Sequence, residues 1–240
     1  MTERNRSSSP AAERGRAPLA RGNPGGMTAA ALAGSTSAPT SASTSPQASR
    51  PGAPRALPPF PTAAALALER ATRAELELVM VRGATPELGE LVGWEFRGIN
   101  HPAWARLAGI KKFVKGFFRA EDGRVMGYNS PVVQNVLDGR WRTLPSDTAP
   151  KRFGFYEVAP VDPTRRDNAY LHAVLLDYGR GGNRRWDPTG GLRDYLVQVD
   201  PANPDLFLGK AYYAVGPVRV HSNYFILERF RRGLTDYARR

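Results

Sequence analysis

Between Leu192 and Phe230 the chain runs through three apolar-rich segments, Leu192–Val199, Leu206–Val215 and Val218–Phe230. They are punctuated by Asp200-Pro201-Ala202-Asn203-Pro204 and Gly216-Pro217. Runs this closely punctuated by Pro, Gly, Asn and Asp form antiparallel strands joined by tight turns. A meander of this kind makes the folded part mainly β and leaves its outer strands in need of partners.

Upstream segments supply them. Leu91–Ile99 alternates Val92, Trp94 and Phe96 with Glu95 and Arg97, which predicts a strand with one apolar and one polar face. Lys111–Arg119 and Arg124–Val133 flank Glu121-Asp122-Gly123, and Asp-Gly between two such runs is a hairpin signal. Phe153–Val158 and Leu171–Tyr178 are further strands. About eight short strands joined mostly by short turns favour an up-and-down barrel, because closure removes exposed strand edges. A short helical piece, Ala103–Gly109, carries Trp104 and Leu107 between the first two strands.

Before the strands, Thr62–Val81 reads as one helix. Leu68, Thr72, Leu76 and Val79 fall on one face, Glu69, Arg73 and Glu77 form a charged ridge, and Gly83 and Pro86 follow as stop signals. Such a helix packs outside or across one end of the core. Residues 1–61 are rich in Ser, Ala, Pro, Gly, Thr and Arg, lack Val and Ile, and hold one aromatic residue, Phe60. They cannot bury enough apolar surface to offset the entropy of ordering and are expected to form a disordered tail. Met27 offers a second candidate start. The expected organisation is a tail over 1–61 and a helix-plus-barrel domain over 62–240.

Composition narrows the chemistry. The chain has no cysteine, which removes disulfides, thiolate nucleophiles and cysteine zinc sites and fits a reducing, cytoplasmic setting. No apolar run reaches the length of a transmembrane helix, and no secretory h-region follows the N-terminal arginines. The net charge is +12. The first 62 residues carry seven Arg against two Glu, and the rest carry 27 basic against 20 acidic residues. These basic residues match no nucleic-acid module, so no specific nucleic-acid partner is expected. The histidines His101, His172 and His221 have no metal-ligand spacing, and no metal site is expected. The glycine-rich Gly179–Gly191 lacks a phosphate-binding pattern.

The segment Gly93-Trp94-Glu95-Phe96-Arg97-Gly98 resembles the glycine–tryptophan first strand of the calycins, the lipocalin and fatty-acid-binding-protein group. Ala103–Gly109 resembles the lid insertion of the fatty-acid-binding branch. Tyr224-Phe225-Ile226-Leu227-Glu228-Arg229 resembles the aromatic strand with a terminal basic residue that closes such barrels. Asp194-x-Leu196-x-x-Val199-Asp200, with Leu208-Gly209 beyond it, is similar to small uncharacterised bacterial proteins built around a Gly-x-Trp-x-Gly element. Here Gly93 directly precedes Trp94, and Gly98 stands four positions after it. The resemblance implies a barrel binding a small apolar or amphipathic molecule. Calycin-like haem proteins use an axial histidine, which makes His221 the haem candidate; no other cofactor is implied.

The strands also place basic groups among apolar neighbours. Lys115 shares a strand face with Phe113 and Phe117, Arg193 with Tyr195 and Val197, and Lys210 with Leu208 and Tyr212. A buried basic group needs an anion or a paired carboxylate, so these three are candidate anchors for an anionic head group. Asp177, Asp194 or Glu228 would serve as internal partners instead. A one-residue shift of register exchanges the two faces. Trp94, Tyr128, Asn129, Tyr156, Tyr212 and Tyr224 are candidate lining residues and polar anchors.

Three functions follow. The first is binding of a small hydrophobic or amphipathic, anionic ligand inside the barrel, which requires a pocket containing Lys115, Arg193 or Lys210. The second is a cofactor-independent isomerase, cyclase or hydratase, which requires a titratable pair such as Asp194 with Tyr224 in the cavity. The third is an interaction protein with a filled barrel.

Overall fold

The structure, a computed structural model, describes residues 57–101, 109–165, 168–216 and 218–235. Most of the expected tail and of the helical piece Ala103–Gly109 lies outside these residues.

Three short helices precede the strands: α1 (Ala63–Arg70), α2 (Arg73–Arg82) and α3 (Leu88–Leu91). The single helix read over Thr62–Val81 is thus two, broken at Ala71-Thr72. Thr72 is the cause: its hydroxyl accepts from Glu75 N while the Glu75 carboxylate returns to Thr72 N, a capping box that starts a new helix. Thr62 caps α1 through its hydroxyl alone, accepting from Ala65 N at 3.3 Å.

Eight strands follow: β1 (Trp94–Asn100), β2 (Lys112–Arg119), β3 (Val125–Pro131), β4 (Phe153–Pro160), β5 (Val174–Asp177), β6 (Leu192–Asp200), β7 (Asn203–Val215) and β8 (Val218–Arg232). Each pairs antiparallel with its neighbour in sequence, and β1 pairs with β8, so the sheet closes into an up-and-down barrel. Strand β5 is shorter than the expected Leu171–Tyr178 at both ends: residues 171–173 form a turn, and Tyr178–Arg180 a 3-10 helix capped by Asp177. Strand β7 begins earlier than expected, inside the predicted turn.

Alternate side chains separate into two clusters. Phe96, Phe117, Tyr156, Leu176, Leu196 and Leu227 pack together in the interior. Val114, Tyr195, Val197, Leu208 and Ile226 pack on the outer wall with Ala65, Leu76 and Met80 of the two helices. Helix α1 lies against β8, and α2 against β6 and β7. Both faces of these strands are therefore apolar, which a half-buried sheet would not require.

The polar face expected on β1 is also buried: Glu95 is 3% exposed and Arg97 1%. Both lie on the seam where β1 meets β8, each in register with a charge of opposite sign, Arg231 and Glu228. The Glu95–Arg231 and Arg97–Glu228 contacts are each 2.7 Å.

Candidate functional site

A cavity of about 540 Å³ occupies one end of the barrel. Its walls come from the ends of β1, β3, β5 and β7 and the starts of β2, β4, β6 and β8, which all meet at that end. The interior cluster fills the other end, around Phe96, Phe207 and Leu227. The lining is mostly apolar, with Phe113, Phe153, Leu192 and Phe225 prominent.

Interior glycines make the cavity wide. A Cβ at Gly98 would stand 2.2 Å from the Phe113 ring, one at Gly127 2.2 Å from Tyr156, and one at Gly209 2.1 Å from Phe225. Each glycine lets the neighbouring ring lie against the wall.

Those three rings surround one charge. Lys115 projects from β2 into the cavity, with its Nζ 4.5 Å from the centre of the Tyr156 ring, 5.2 Å from Phe225 and 5.9 Å from Phe113. It donates to the Tyr178 hydroxyl at 2.5 Å and to Asp194 Oδ2 at 3.3 Å. Tyr178 donates in turn to Asp194 Oδ2 at 3.2 Å and accepts from Asn129 Nδ2, also at 3.2 Å. Asn129 is steadied by donating to the Gly154 carbonyl at 3.0 Å. Asp194 Oδ1 is buried and has no hydrogen-bond partner.

Burial governs the electrostatics of this group. It pushes the Asp194 carboxyl up and the Lys115 ammonium down, each against the attraction of the other. It also raises Tyr178 well above an ordinary tyrosine, so the phenol stays protonated and remains a donor. The Lys115 charge is matched inside the protein by Asp194. Two lining residues keep a buried polar atom without a partner in the protein, Asp194 Oδ1 beside Lys115 and His221 Nε2. Beside Lys115 the unmet need is therefore for a hydrogen-bond donor to Asp194 rather than for a second anion.

Of the residues expected from sequence, Lys115 and Asn129 line the cavity, and Tyr156 lies beneath Lys115. The others stand elsewhere. Trp94 is at the filled end, stacked 3.7 Å from the Arg232 guanidinium and 4.6 Å from that of Arg229. Tyr128 lies on the outer wall and donates to Glu95 at 2.8 Å. Arg193 faces outward, pairs with Asp177 at 3.1 Å and braces the loop into β6 by donating to the Gly190 and Leu192 carbonyls.

Lys210, Tyr212 and Tyr224 lie on the outer wall beneath α2. Lys210 donates to Glu77 and Tyr170, both at 2.5 Å, and Tyr224 also donates to Glu77. Burial alone would raise the Glu77 carboxyl, but the donors from Lys210, Tyr170 and Tyr224 outweigh it and hold it at about 2. Glu77 is therefore not part of a solvent ridge; it fastens α2 to the barrel. The pair expected between Asp194 and Tyr224 does not form, because the two residues sit on opposite faces of the wall. Asp194 pairs with Tyr178 instead. Tyr178 was readable: it shares strand parity with Val174 and Leu176, both interior.

His221 lies at the rim of the cavity, with its ring against Tyr212 and Tyr224. Its Nδ1 stands 3.2 Å from Arg73 Nη2. A guanidinium can only donate, so Nδ1 accepts and Nε2 carries the proton of the neutral ring. Burial, with Arg73 and Lys210 nearby, lowers this histidine to about 4 and keeps it neutral. Neither nitrogen presents a free lone pair, so His221 does not fit an axial haem ligand. Among the described residues no group of three or more His, Asp or Glu could hold a metal ion, and no helix is long and apolar enough to cross a membrane. No family model matches the chain, and no curated protein or solved structure is significantly similar to it.

Proposed function

We propose that this barrel binds a small, largely apolar molecule in calycin fashion, with its polar end on Lys115, Tyr178 and Asp194. The observation that carries this reading is the buried Lys115–Tyr178–Asp194 group in the wall of an apolar cavity, with Asp194 Oδ1 left without a partner. The volume lies within the range of small-molecule sites, which combine apolar walls with a few placed polar groups. Apolar burial supplies the affinity and the floor orients the ligand. Because Asp194 answers the Lys115 charge, the favoured head group is a hydroxyl or amide, in place of the anion expected from sequence.

Isothermal titration of the full chain with decanol, decanamide and decanoate tests this. Decanol and decanamide should bind at one site, with decanoate about tenfold weaker because its charge meets Asp194. Absence of binding by all three, or equal binding by the Asp194→Leu variant, would overturn it.

The same geometry favours a second reading, a cofactor-independent isomerase, cyclase or hydratase. A carboxyl raised by burial, with one free oxygen and a tyrosine at 3.2 Å, is suited to moving a proton. This reading requires a bound ketone to exchange hydrogens with heavy water, with the exchange lost in Asp194→Asn. Unaltered ligand leaves binding alone.

A further inference from the structure

Lys115 is one of five lysines in the chain. Lys111 and Lys151 are exposed. Lys112 is held by Asn135 Oδ1 at 2.5 Å and by the Val136 and Gly139 carbonyls at 3.1 Å, and Lys210 by Glu77 at 2.5 Å. Among the described residues, Lys115 alone brings a primary amine to the wall of the cavity.

Its surroundings match the requirements of an amine that forms a covalent bond. A carboxylate stands at 3.3 Å with one oxygen free, and a phenol stands at 2.5 Å. Four aromatic rings lie within 5.9 Å of the nitrogen. The carboxylate can take a proton from the ammonium, and the rings tolerate a cation in the same place. We infer that Lys115 condenses with the carbonyl carbon of an apolar aldehyde lodged in the cavity, holding it as a reversible protonated imine. This rests on the binding reading above and names a ligand class within it.

The step balances without an oxidant or reductant. The Lys115 ammonium passes a proton to Asp194, and the nitrogen lone pair forms a bond to the carbonyl carbon. The carbonyl π pair moves to oxygen, which takes the proton back, giving a carbinolamine. A second proton then passes from nitrogen to the hydroxyl, directly or relayed through Tyr178; the nitrogen lone pair this frees forms the C=N bond as the carbon–oxygen bond breaks and water leaves. The one hydrogen left on nitrogen makes the product the iminium. Ammonium plus aldehyde becomes iminium plus water, and the Asp194 carboxylate serves as counter-ion before and after. Burial favours the step, because it makes the free amine more accessible than in an ordinary lysine.

The test is reductive trapping. The full chain is incubated with decanal at neutral pH, reduced with cyanoborohydride, and read by intact mass and peptide mapping. The expected result is a single decyl adduct at Lys115, formed about tenfold faster than at Lys111 or Lys151. Excess decanol should protect Lys115, and Lys151→Arg should leave its labelling unchanged. Lys115→Arg should lose the adduct; decanol protection in the unmutated chain gives the answer even where that variant does not fold. Binding of decanol with decyl adducts only at Lys111 and Lys151 would overturn the imine and leave the binding reading intact. Failure of decanol to bind, together with no labelling of Lys115, would overturn both.

Discussion

The pair Lys115–Asp194 concentrates the cost and the use of this cavity in two residues. Both are at least 97% buried in or beside an apolar space, so neither charge is supported by water. Removing one partner strands the other, whereas removing both removes the need for either. Asp194→Leu is expected to lower unfolding stability by about 3 kcal/mol, and Lys115→Met with Asp194→Leu by clearly less than the single changes Lys115→Met and Asp194→Leu together. Urea denaturation of the four proteins checks this; additive losses would show that the two side chains do not act as a pair. At Gly209 the argument is steric. Gly209→Ala places a methyl where the Phe225 ring now lies, forces that ring toward Lys115, and should cost about 1–3 kcal/mol while weakening decanol binding. Unchanged titration would mean that the ring has another place to go. At this scale sequence reading singled out Lys115, because a lysine between two phenylalanines on one strand face stands out, and the structure places it with Asn129 in the cavity wall. It brought in Arg193 and Lys210 by the same logic, and there the logic failed. Their apolar neighbours face the outer wall, where α1 and α2 cover it, and no strand pattern reveals which of two apolar faces is the inner one.

Helix α2 shows how a charged pattern can mislead about an element. Glu69, Arg73 and Glu77 are spaced as an exposed ridge, yet Glu77 reaches Lys210, Tyr170 and Tyr224, and Arg73 reaches His221. Periodicity carries no information about long side chains that bend back to a neighbouring sheet. The break at Thr72 was legible, since Thr72 with Glu75 three residues on is a start signal. These contacts give α2 two acid-sensitive fastenings. Glu77 is lowered from 4.5 to about 2 in the folded protein, so its contribution is present above 4.5 and lost as pH falls toward 2. His221 is lowered from 6.5 to about 4, so the unfolded chain takes up its proton first and stability falls as pH drops from 6.5 toward 4. Thermal midpoints measured across that range should fall through both windows. Glu77→Gln should flatten the lower window and His221→Asn the upper; profiles parallel to the unmutated chain would show that neither contact holds the helix.

At the scale of the whole molecule, the strand count and the antiparallel meander were readable from turns and alternation, but the closing pair was not. Strands β1 and β8 meet across most of the domain's sequence, and nothing local records that partnership. Its trace is the pair of charges on β1, which looks like a solvent face and is the seam. Arg97 stands opposite Glu228, Glu95 opposite Arg231, and α1 is tied to the same place because the Thr62 backbone N–H donates to Glu228 at 3.1 Å. Register follows from this arrangement. A slip by one residue would set Arg97 against Leu227 or Arg229 and leave a buried charge unmatched, so the ladder of opposite charges selects one closure among the alternatives. Arg97 nevertheless keeps Nε and Nη1 without partners, which makes its single carboxylate contact hard to replace. Glu228→Gln is therefore expected to cost about 3–5 kcal/mol in urea denaturation, the loss typical when one member of a buried pair is removed. Arg97→Met with Glu228→Leu should restore much of it. Because the seam charges face outward, away from the cavity, decanol binding to the folded fraction of Glu228→Gln should keep its affinity. A loss below about 1 kcal/mol would place the pair among surface ion pairs in its energetics and shift the selection of register onto the apolar residues between the charges.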